Sequence, residues 1–347
     1  LAALAASARA GGFTRVGILP TTVPAIDTVA QVKELLRHQP QAQPRLMPWA
    51  ASTVAAAGER LNELVTLAGS GMVGFSDGRS QPPPALLRRL LEYAQPLGYP
   101  IAIWPCDRTQ TGLMRDGADA VRLGLPGLPA TSETVPLARV LELVADTLTP
   151  VHIMRVSTAR SVELIRGAKQ RGLPVTASVV WLHLLRSTQA MAAYDPHLRL
   201  DPPLGTPADQ QALITGLEEG VLDAIATDHI AYTYEEKTVP FGVAPPGALG
   251  LPLVLSLLWE AFVATNRWQP WQLWRYLSTQ PAQCLNQTAP TTQPRQPSEL
   301  VLFDPTVSWT VTPDSLKSLS QGPAYNTAWL GQTLQGSVVK VWLPSTS

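Results

Sequence analysis

Short apolar segments alternate with amphipathic segments along most of the chain, at intervals of roughly 20 to 50 residues. Seven apolar segments have the length expected of buried strands: 14–20, 45–51, 72–77, 100–106, 150–156, 174–181 and 223–228. Between them, apolar residues at i, i+3 and i+4 spacing predict helices, for example at 28–39, 84–97, 135–148 and 161–172. This alternation predicts an α/β fold with a parallel sheet built from βαβ units.

The amphipathic segments are expected to form the outer layer of a TIM-type (β/α)8 barrel. That fold needs eight strands, and the pattern predicts seven. The chain opens on an Ala- and Leu-rich helix, with no strand before it. Either the sheet is open, or the first strand lies upstream of Leu1; we favour the second reading.

The pattern changes after a last helix that begins near Trp271. Residues 289–298 are rich in Pro, Thr and Gln and lack periodicity, which predicts a linker. Three short strands are predicted beyond it, at 299–305, 308–313 and 336–344. The predicted division is therefore a barrel domain at 1–287 and a small, incomplete, composite β domain at 288–347.

Composition narrows the classes of partner and compartment. The 26 basic and 26 acidic side chains cancel, so no bulk field attracts nucleic acid or an acidic membrane surface. Cys106 and Cys284 form no CxxC pair, which favours a reducing compartment and predicts a cytoplasmic protein. The sequence contains no run of eighteen apolar residues, so no membrane span is predicted.

Six segments carry a resemblance to a known family. They are 11–27 (GGFTRVGILPTTVPAID), 74–78 (GFSDG), 156–177 (VSTARSVELIRGAKQRGLPVTA), 201–214 (DPPLGTPADQQALI), 225–229 (IATDH) and 235–251 (EEKTVPFGVAPPGALGL). Together and in this order they resemble dihydroorotases of the amidohydrolase superfamily. The resemblance implies a TIM-type barrel with a small composite β domain. It also implies a zinc cofactor and the interconversion of carbamoyl aspartate and dihydroorotate in pyrimidine biosynthesis.

That reaction explains which side chains the family needs. An unactivated cyclic amide is a poor electrophile, so zinc polarises its carbonyl and activates a water, while a carboxylate moves the proton. The resemblance assigns Asp228, at the end of the strand 223–228, the roles of metal ligand and proton shuttle. It assigns Asp77 the role of a second metal ligand.

Two internal ligand positions depart from the family pattern. Pro105 and Arg155 stand where the family has histidines, and the family's HxH pair would precede Leu1. Proline offers no donor atom, and a guanidinium with a pKa above about 12 cannot act as a zinc ligand. We therefore predict a degenerate site that does not bind zinc. Arg155 is predicted to lie within about 4 Å of Asp77 or Asp228, replacing the metal electrostatically; otherwise it is an ordinary solvent-reaching arginine.

Substrate-binding positions are also changed. Thr21, Asp201 and Tyr232 stand where the family has two asparagines and a histidine, whereas Gly247 keeps the glycine of a substrate loop. Structural roles are the alternative throughout: Asp228 can cap its strand, and Asp77, followed by glycine, can be a turn residue.

Other candidates have weaker signals. His183 and His229 could build a new metal site with Asp228, although a lone histidine beside a strand usually serves as a hydrogen-bonded core residue. Cys106 lacks a visible His–Asp or His–Asn relay. The aromatic residues of 268–277, among them Trp271, Trp274 and Tyr276, have near-helical spacing and predict core packing or, where exposed, a protein interface.

Three functions remain open on these observations. The leading hypothesis is a non-catalytic partner or regulator in pyrimidine biosynthesis, with aspartate carbamoyltransferase as the partner that the resemblance implies. The second is an active dihydroorotase, or another cyclic amidase, with an unconventional metal site. The third is a protein that binds a small molecule at the barrel mouth.

Overall fold

A computed structural model describes residues 1–38, 44–289 and 299–343. Its strands are β1 Arg15–Ile18, β2 Arg45–Ala50, β3 Gly74–Ser76, β4 Ile101–Ile103, β5 Met114–Arg115, β6 Gly127–Leu128, β7 Val151–Ile153, β8 Val175–Val180, β9 Ala224–Ala226, β10 Leu300–Thr310 and β11 Thr333–Trp342. Seven of them form one parallel sheet in the order β1-β2-β3-β4-β7-β8-β9. The seven predicted strands are confirmed, and the curled sheet with outer helices is a TIM-type barrel architecture.

The helices are α1 Ala2–Ala10, α2 Val29–Arg37, α3 Leu64–Leu67, α4 Pro84–Ala94, α5 Ala118–Leu123, α6 Thr131–Thr147, α7 Ala159–Gln170, α8 Trp181–Leu185, α9 Pro207–Glu218, α10 Tyr234–Lys237, α11 Val254–Leu258, α12 Pro270–Trp274, α13 Gln280–Cys284 and α14 Pro313–Ser320. Side-chain caps define several of their starts. Thr158 accepts a hydrogen bond from the backbone N–H of Ser161, and Thr206 with Asp209 forms a reciprocal capping box. The four predicted outer helices are present as α2, α4, α6 and α7.

Successive side chains of a strand point to opposite faces of the sheet, and the apolar side chains therefore form two clusters, one on each face. Ile101 and Ile103 of β4 belong to the larger cluster, which includes the helix faces. Ala102 and Trp104 belong to a smaller cluster on the opposite face of the sheet, with Trp49 and other side chains. The smaller cluster therefore lies on the concave side of the curled sheet, beneath the ends of the strands.

The C-terminal prediction was wrong in its number of strands. The predicted strands at 299–305 and 308–313 are one continuous strand, β10, which pairs antiparallel with β11. The pairing is irregular between Asp304 and Ser308, around Pro305, and the strand continues on both sides of this irregularity. Most of the predicted linker, 290–298, lies outside the described residues, and the domain division remains a prediction.

The sheet is open between its two edge strands, β1 and β9, and we call this opening the seam. Among the described residues no strand pairs with the outer edge of β1 or of β9. A cavity of about 540 Å³ lies at this seam, lined by Val16 of β1, Ile225 of β9 and apolar side chains that include Leu251 and Trp274. The expectation of an upstream first strand stays a prediction. Within the described ranges no helix has both the length and the apolar character needed to cross a membrane.

Candidate active site at the barrel mouth

An ion pair occupies the mouth of the barrel. Arg155 follows β7 and Asp228 follows β9, and Nη2 of Arg155 lies 2.5 Å from Oδ1 of Asp228. The Arg155 side chain is 6% exposed and that of Asp228 is 20% exposed, so the pair is largely withdrawn from water. The predicted contact between Arg155 and an acidic side chain is confirmed, and the reading of Arg155 as an ordinary solvent-reaching arginine is wrong.

Both partners of the pair have unusual backbone conformations. Arg155 has φ +57° and Asp228 has φ +39°, in the left-handed region that costs L-residues about 1–2 kcal/mol each. Such conformations are found most often at active sites and ligand-binding sites, where the surrounding structure compensates for their cost. Trp104 packs below the pair, with its ring 4.5 Å from the Arg155 guanidinium carbon, so a cation–π contact fixes the arginine from the other side.

Asp77 does not join this pair. Its buried carboxylate accepts hydrogen bonds from the backbone N–H and the hydroxyl of Thr53, both at 2.9 Å. Burial raises the pKa of Asp77, and the hydrogen bonds from Thr53 oppose that rise. Its backbone carbonyl accepts from the N–H of Arg79, and Gly78 has φ +63°. The turn reading of Asp77 therefore agrees with its contacts.

The position after β4 provides no metal ligand. Pro105 is buried and has no donor atom. Cys106 beside it has a pKa raised mainly by burial, which disfavours the thiolate. No hydrogen bond joins Cys106 to a histidine within the part of the chain that the structure describes. The contacts therefore do not support a catalytic thiol.

Three of the four substrate positions surround or adjoin one small cavity. Asp201 and Gly247 line it together with Asp228. The carboxylate of Asp201 pairs with Arg108 at 2.8 Å. The hydroxyl of Tyr232 donates to the carbonyl of Pro246, an adjacent lining residue, at 3.3 Å. Thr21 is not among the residues that line the cavity; it contacts Gly78, where an added Cβ would sit 2.8 Å from the methyl carbon of Thr21.

The loop around Gly247 is held by two residues that sequence reasoning missed. The side chain of Asn326 accepts from the N–H of Tyr232 at 2.8 Å and donates to the carbonyl of Ile230 at 2.9 Å. Lys237 is fully buried, and its ammonium donates to the carbonyls of Pro245 and Gly247 at 2.6 and 2.9 Å. Asn326 lies outside every motif. Lys237 lies inside one, but only its burial reveals its role.

The proposed alternative site of His183, His229 and Asp228 is not assembled. Nδ1 of His229 accepts the backbone N–H groups of Gly250 and Leu251, both at 3.2 Å, which commits that nitrogen to the loop. Across residues 1–38, 44–289 and 299–343, no group of three or more His, Cys, Asp or Glu side chains could hold a metal ion. The described donor set therefore does not fit the zinc that the resemblance implies.

His183 has an environment of its own. It is 2% exposed, and neither ring nitrogen has a hydrogen-bond partner among the described residues. Burial, reinforced by the positive charges of Arg115 and Arg155, lowers its pKa to about 4. The carbonyls of Pro202 and Pro203 oppose this shift but lie outside hydrogen-bond geometry. The ring is thus neutral at physiological pH.

The aromatic segment divides between core and surface. Tyr276 packs edge-on against Trp268, with ring centroids 5.2 Å apart, and Trp274 contacts Trp259 at 6.3 Å. These contacts confirm the core-packing prediction for Trp274 and Tyr276. Trp271 is 61% exposed, so the alternative prediction for exposed aromatic residues, a protein interface, applies to it.

Comparison with known proteins places the chain in a family. No family model matches it. A probable dihydroorotase-like protein of Synechocystis is 43% identical over an alignment 371 positions long, which covers 98% of this chain and 82% of that protein. The chain belongs to the dihydroorotase family. A dihydroorotase of Pelotomaculum thermopropionicum is 36% identical, over 95% of this chain and 77% of its own length.

Solved structures confirm the fold of this dihydroorotase-family chain. The L-hydantoinase (dihydropyrimidinase) of Arthrobacter aurescens superposes with a TM-score of 0.85 at 20% identity, over 99% of this chain and 79% of that chain. A dihydropyrimidinase from Brevibacillus agri gives a TM-score of 0.79 at 18% identity, over 98% and 77% of the two chains. At these identities the likeness concerns the fold alone, and it agrees with the predicted TIM-type barrel.

Proposed function

We propose that this chain is a non-catalytic member of the dihydroorotase family that acts as a partner or regulator in pyrimidine biosynthesis. The Arg155–Asp228 ion pair carries this proposal. In the family mechanism the carboxylate at position 228 binds metal and moves a proton, and here a guanidinium 2.5 Å away binds that carboxylate instead. One oxygen of that carboxylate is therefore already occupied by a hydrogen bond from a permanent cation.

The donor chemistry around the pair supports the same proposal. A zinc centre needs nitrogen, sulfur or carboxylate donors that converge on one point. Pro105 and Arg155 cannot supply them, and both oxygens of Asp77 accept hydrogen bonds from Thr53. Zinc, when bound, would polarise the amide carbonyl and activate a water. The described residues leave Asp228 without the convergent donors for that chemistry.

We also propose a partner role for this chain. The partner we propose is aspartate carbamoyltransferase, on the strength of the family resemblance alone. Trp271, an exposed aromatic side chain, is of the residue type that contributes most to protein interfaces. Co-purification of the two proteins from a mixed preparation tests the claim. Association weakened by Trp271→Ala would support an interface at this residue, and repeated failure to associate would overturn the partner role.

The alternative function is an active dihydroorotase with an unconventional metal site. The observation in its favour is the name of several relatives, which are dihydroorotases 34–37% identical to this chain. An assay of dihydroorotate hydrolysis in the presence of added zinc separates the two functions. The reaction is monitored through the ultraviolet absorbance that dihydroorotate loses on hydrolysis. The proposal predicts no turnover above the rate without protein. Turnover that Asp228→Asn abolishes and Arg166→Gln leaves unchanged would establish the alternative.

A further inference from the structure

Residues 232–247 form a loop beside the barrel mouth, and we call this loop the lid. Pro246 and Gly247, at its end, line the small cavity there. One side chain holds both ends of the lid: Asn326 accepts a hydrogen bond from the backbone N–H of Tyr232 at 2.8 Å and donates to the carbonyl of Gly247 at 3.3 Å. Compact surface loops whose ends lie close together are frequently functional. The middle of the lid can therefore move while its ends stay in place.

The middle of the lid is anchored by Lys237. This residue ends the short helix α10, and it is fully buried. Its ammonium donates to the carbonyls of Pro245 and Gly247, at 2.6 and 2.9 Å, and to the carbonyl of Arg199 at 3.4 Å. Arg199 lies outside the lid, so the contact with Arg199 joins the lid to the body of the barrel. Opening of the lid therefore carries the ammonium from the protein interior into water.

The ammonium of Lys237 has no acidic partner in the closed lid. Its hydrogen bonds go to neutral carbonyl groups, and no ion pair joins it to an acid among the described residues. Burial, with the positive charge of Arg199, lowers the pKa of Lys237 to about 8. Asp195 opposes this shift, but its carboxylate is bound by the backbone N–H and the ring Nδ1 of His197, at 2.9 and 2.7 Å. The charged ammonium is thus less stable in the closed lid than in water.

We propose that the lid is a proton-controlled gate at the barrel mouth, in which protonation of Lys237 favours the open lid and loss of the proton favours the closed lid. The sign follows from the burial, because the open lid returns Lys237 to water and to the ordinary pKa of 10.5. Between pH 8 and 10.5 opening takes up a proton, so it becomes less favourable as pH rises. The inference goes beyond the proposed function and does not depend on it.

Other titratable groups at the lid do not supply this dependence between pH 7 and 9. The Tyr232 ring lies 5.4 Å from the ammonium of Lys237, and burial raises the pKa of Tyr232 above its ordinary value of 10, so the phenol stays neutral. Burial lowers the pKa of His229, beside the lid, to about 4, so its ring is neutral as well. The titratable residues at 234–236 are exposed, so they are in water whether the lid is closed or open.

Amide hydrogen exchange of residues 238–246 tests the proposal between pH 7 and 9, with each rate divided by the intrinsic rate of the peptide at that pH. The shift in Lys237 predicts that the opening constant of wild type falls about tenfold over this range. Lys237→Met has no proton to gain at this position, so its opening constant should change by less than about twofold. As a matched control, Lys317→Met removes an exposed lysine of α14 and should show the same fall as wild type.

A second variant separates loss of the proton from loss of the side chain. Lys237→Arg keeps a cation that stays protonated up to about pH 12, so its opening constant should also stay level between pH 7 and 9. The inference is overturned if the opening constant of wild type does not fall with pH, or if either Lys237 variant shows the same fall as wild type. A rise with pH in wild type would contradict the sign of the linkage. None of these readouts depends on zinc content or turnover, which test the proposed function separately.

Discussion

Removal of Asp228's charge is the sharpest perturbation of the barrel mouth. Asp228→Asn keeps the shape of the side chain but leaves the Arg155 guanidinium, which is 6% exposed, without its acidic partner. Breaking a buried pair from one side costs about 3–5 kcal/mol. Because Asp228 is itself 20% exposed, some water reaches the pair, and we expect a loss of about 2–4 kcal/mol in the free energy of unfolding.

The reverse variant should cost less. Arg155→Met leaves the charge on Asp228, which has access to water, and the methionine can still pack on Trp104, so about 1–2 kcal/mol is expected. The double variant removes both charges and should be more stable than Asp228→Asn alone. Urea unfolding of the four proteins gives the coupling between the two side chains.

An exposed pair provides the control for this cycle. Arg166 and Glu219 also form an ion pair, but their side chains are 36% and 50% exposed. Arg166→Met should therefore change the free energy of unfolding by no more than about 1 kcal/mol. The reasoning is refuted if Asp228→Asn is as mild as this control, or if the double variant is no more stable than Asp228→Asn.

Three further predictions concern the loop and the sheet. Asn326→Ala removes the bonds to Tyr232 and Ile230 and should speed amide hydrogen exchange across residues 229–249, with little change in α4. Burial lowers the pKa of Lys237 from 10.5 to about 8, so between these pH values the unfolded chain binds more protons than the folded chain. The free energy of unfolding of wild type should therefore rise with pH in this range, relative to that of Lys237→Met. Gly74→Ala would place a Cβ 2.4 Å from the Trp49 ring, so a loss of about 1–3 kcal/mol is expected by urea unfolding.

The sequence carried enough information to predict the barrel sheet. Its central strands, such as β3, β4 and β7, are buried on both faces, so they appear as apolar runs with distinct ends, and the helices between the strands have one apolar face. The C-terminal strands were harder, because Pro305 marks a bulge inside β10 rather than a turn. The chain stays extended on both sides of Pro305 because β10 pairs with β11. The local sequence around one proline does not reveal this pairing.

The candidate site was predictable only where a residue follows a strand. Arg155 and Asp228 both occupy such positions, so their meeting at the mouth could be expected from the barrel geometry. The bonds from Thr53 to Asp77, and from the loop at 250–251 to His229, join side chains to loop backbone and leave no periodic signal. Asn326 acts from 79 residues beyond Gly247, a separation that no local pattern spans.

Zinc content is the most direct measure of the central claim that the Arg155–Asp228 pair stands where a metal centre would be. Wild type and Asp228→Asn should be expressed with added zinc, dialysed against metal-free buffer and analysed for bound metal. The account predicts well under one zinc per chain in both proteins, with no difference between them. One zinc per chain in wild type that is lost in Asp228→Asn would contradict it.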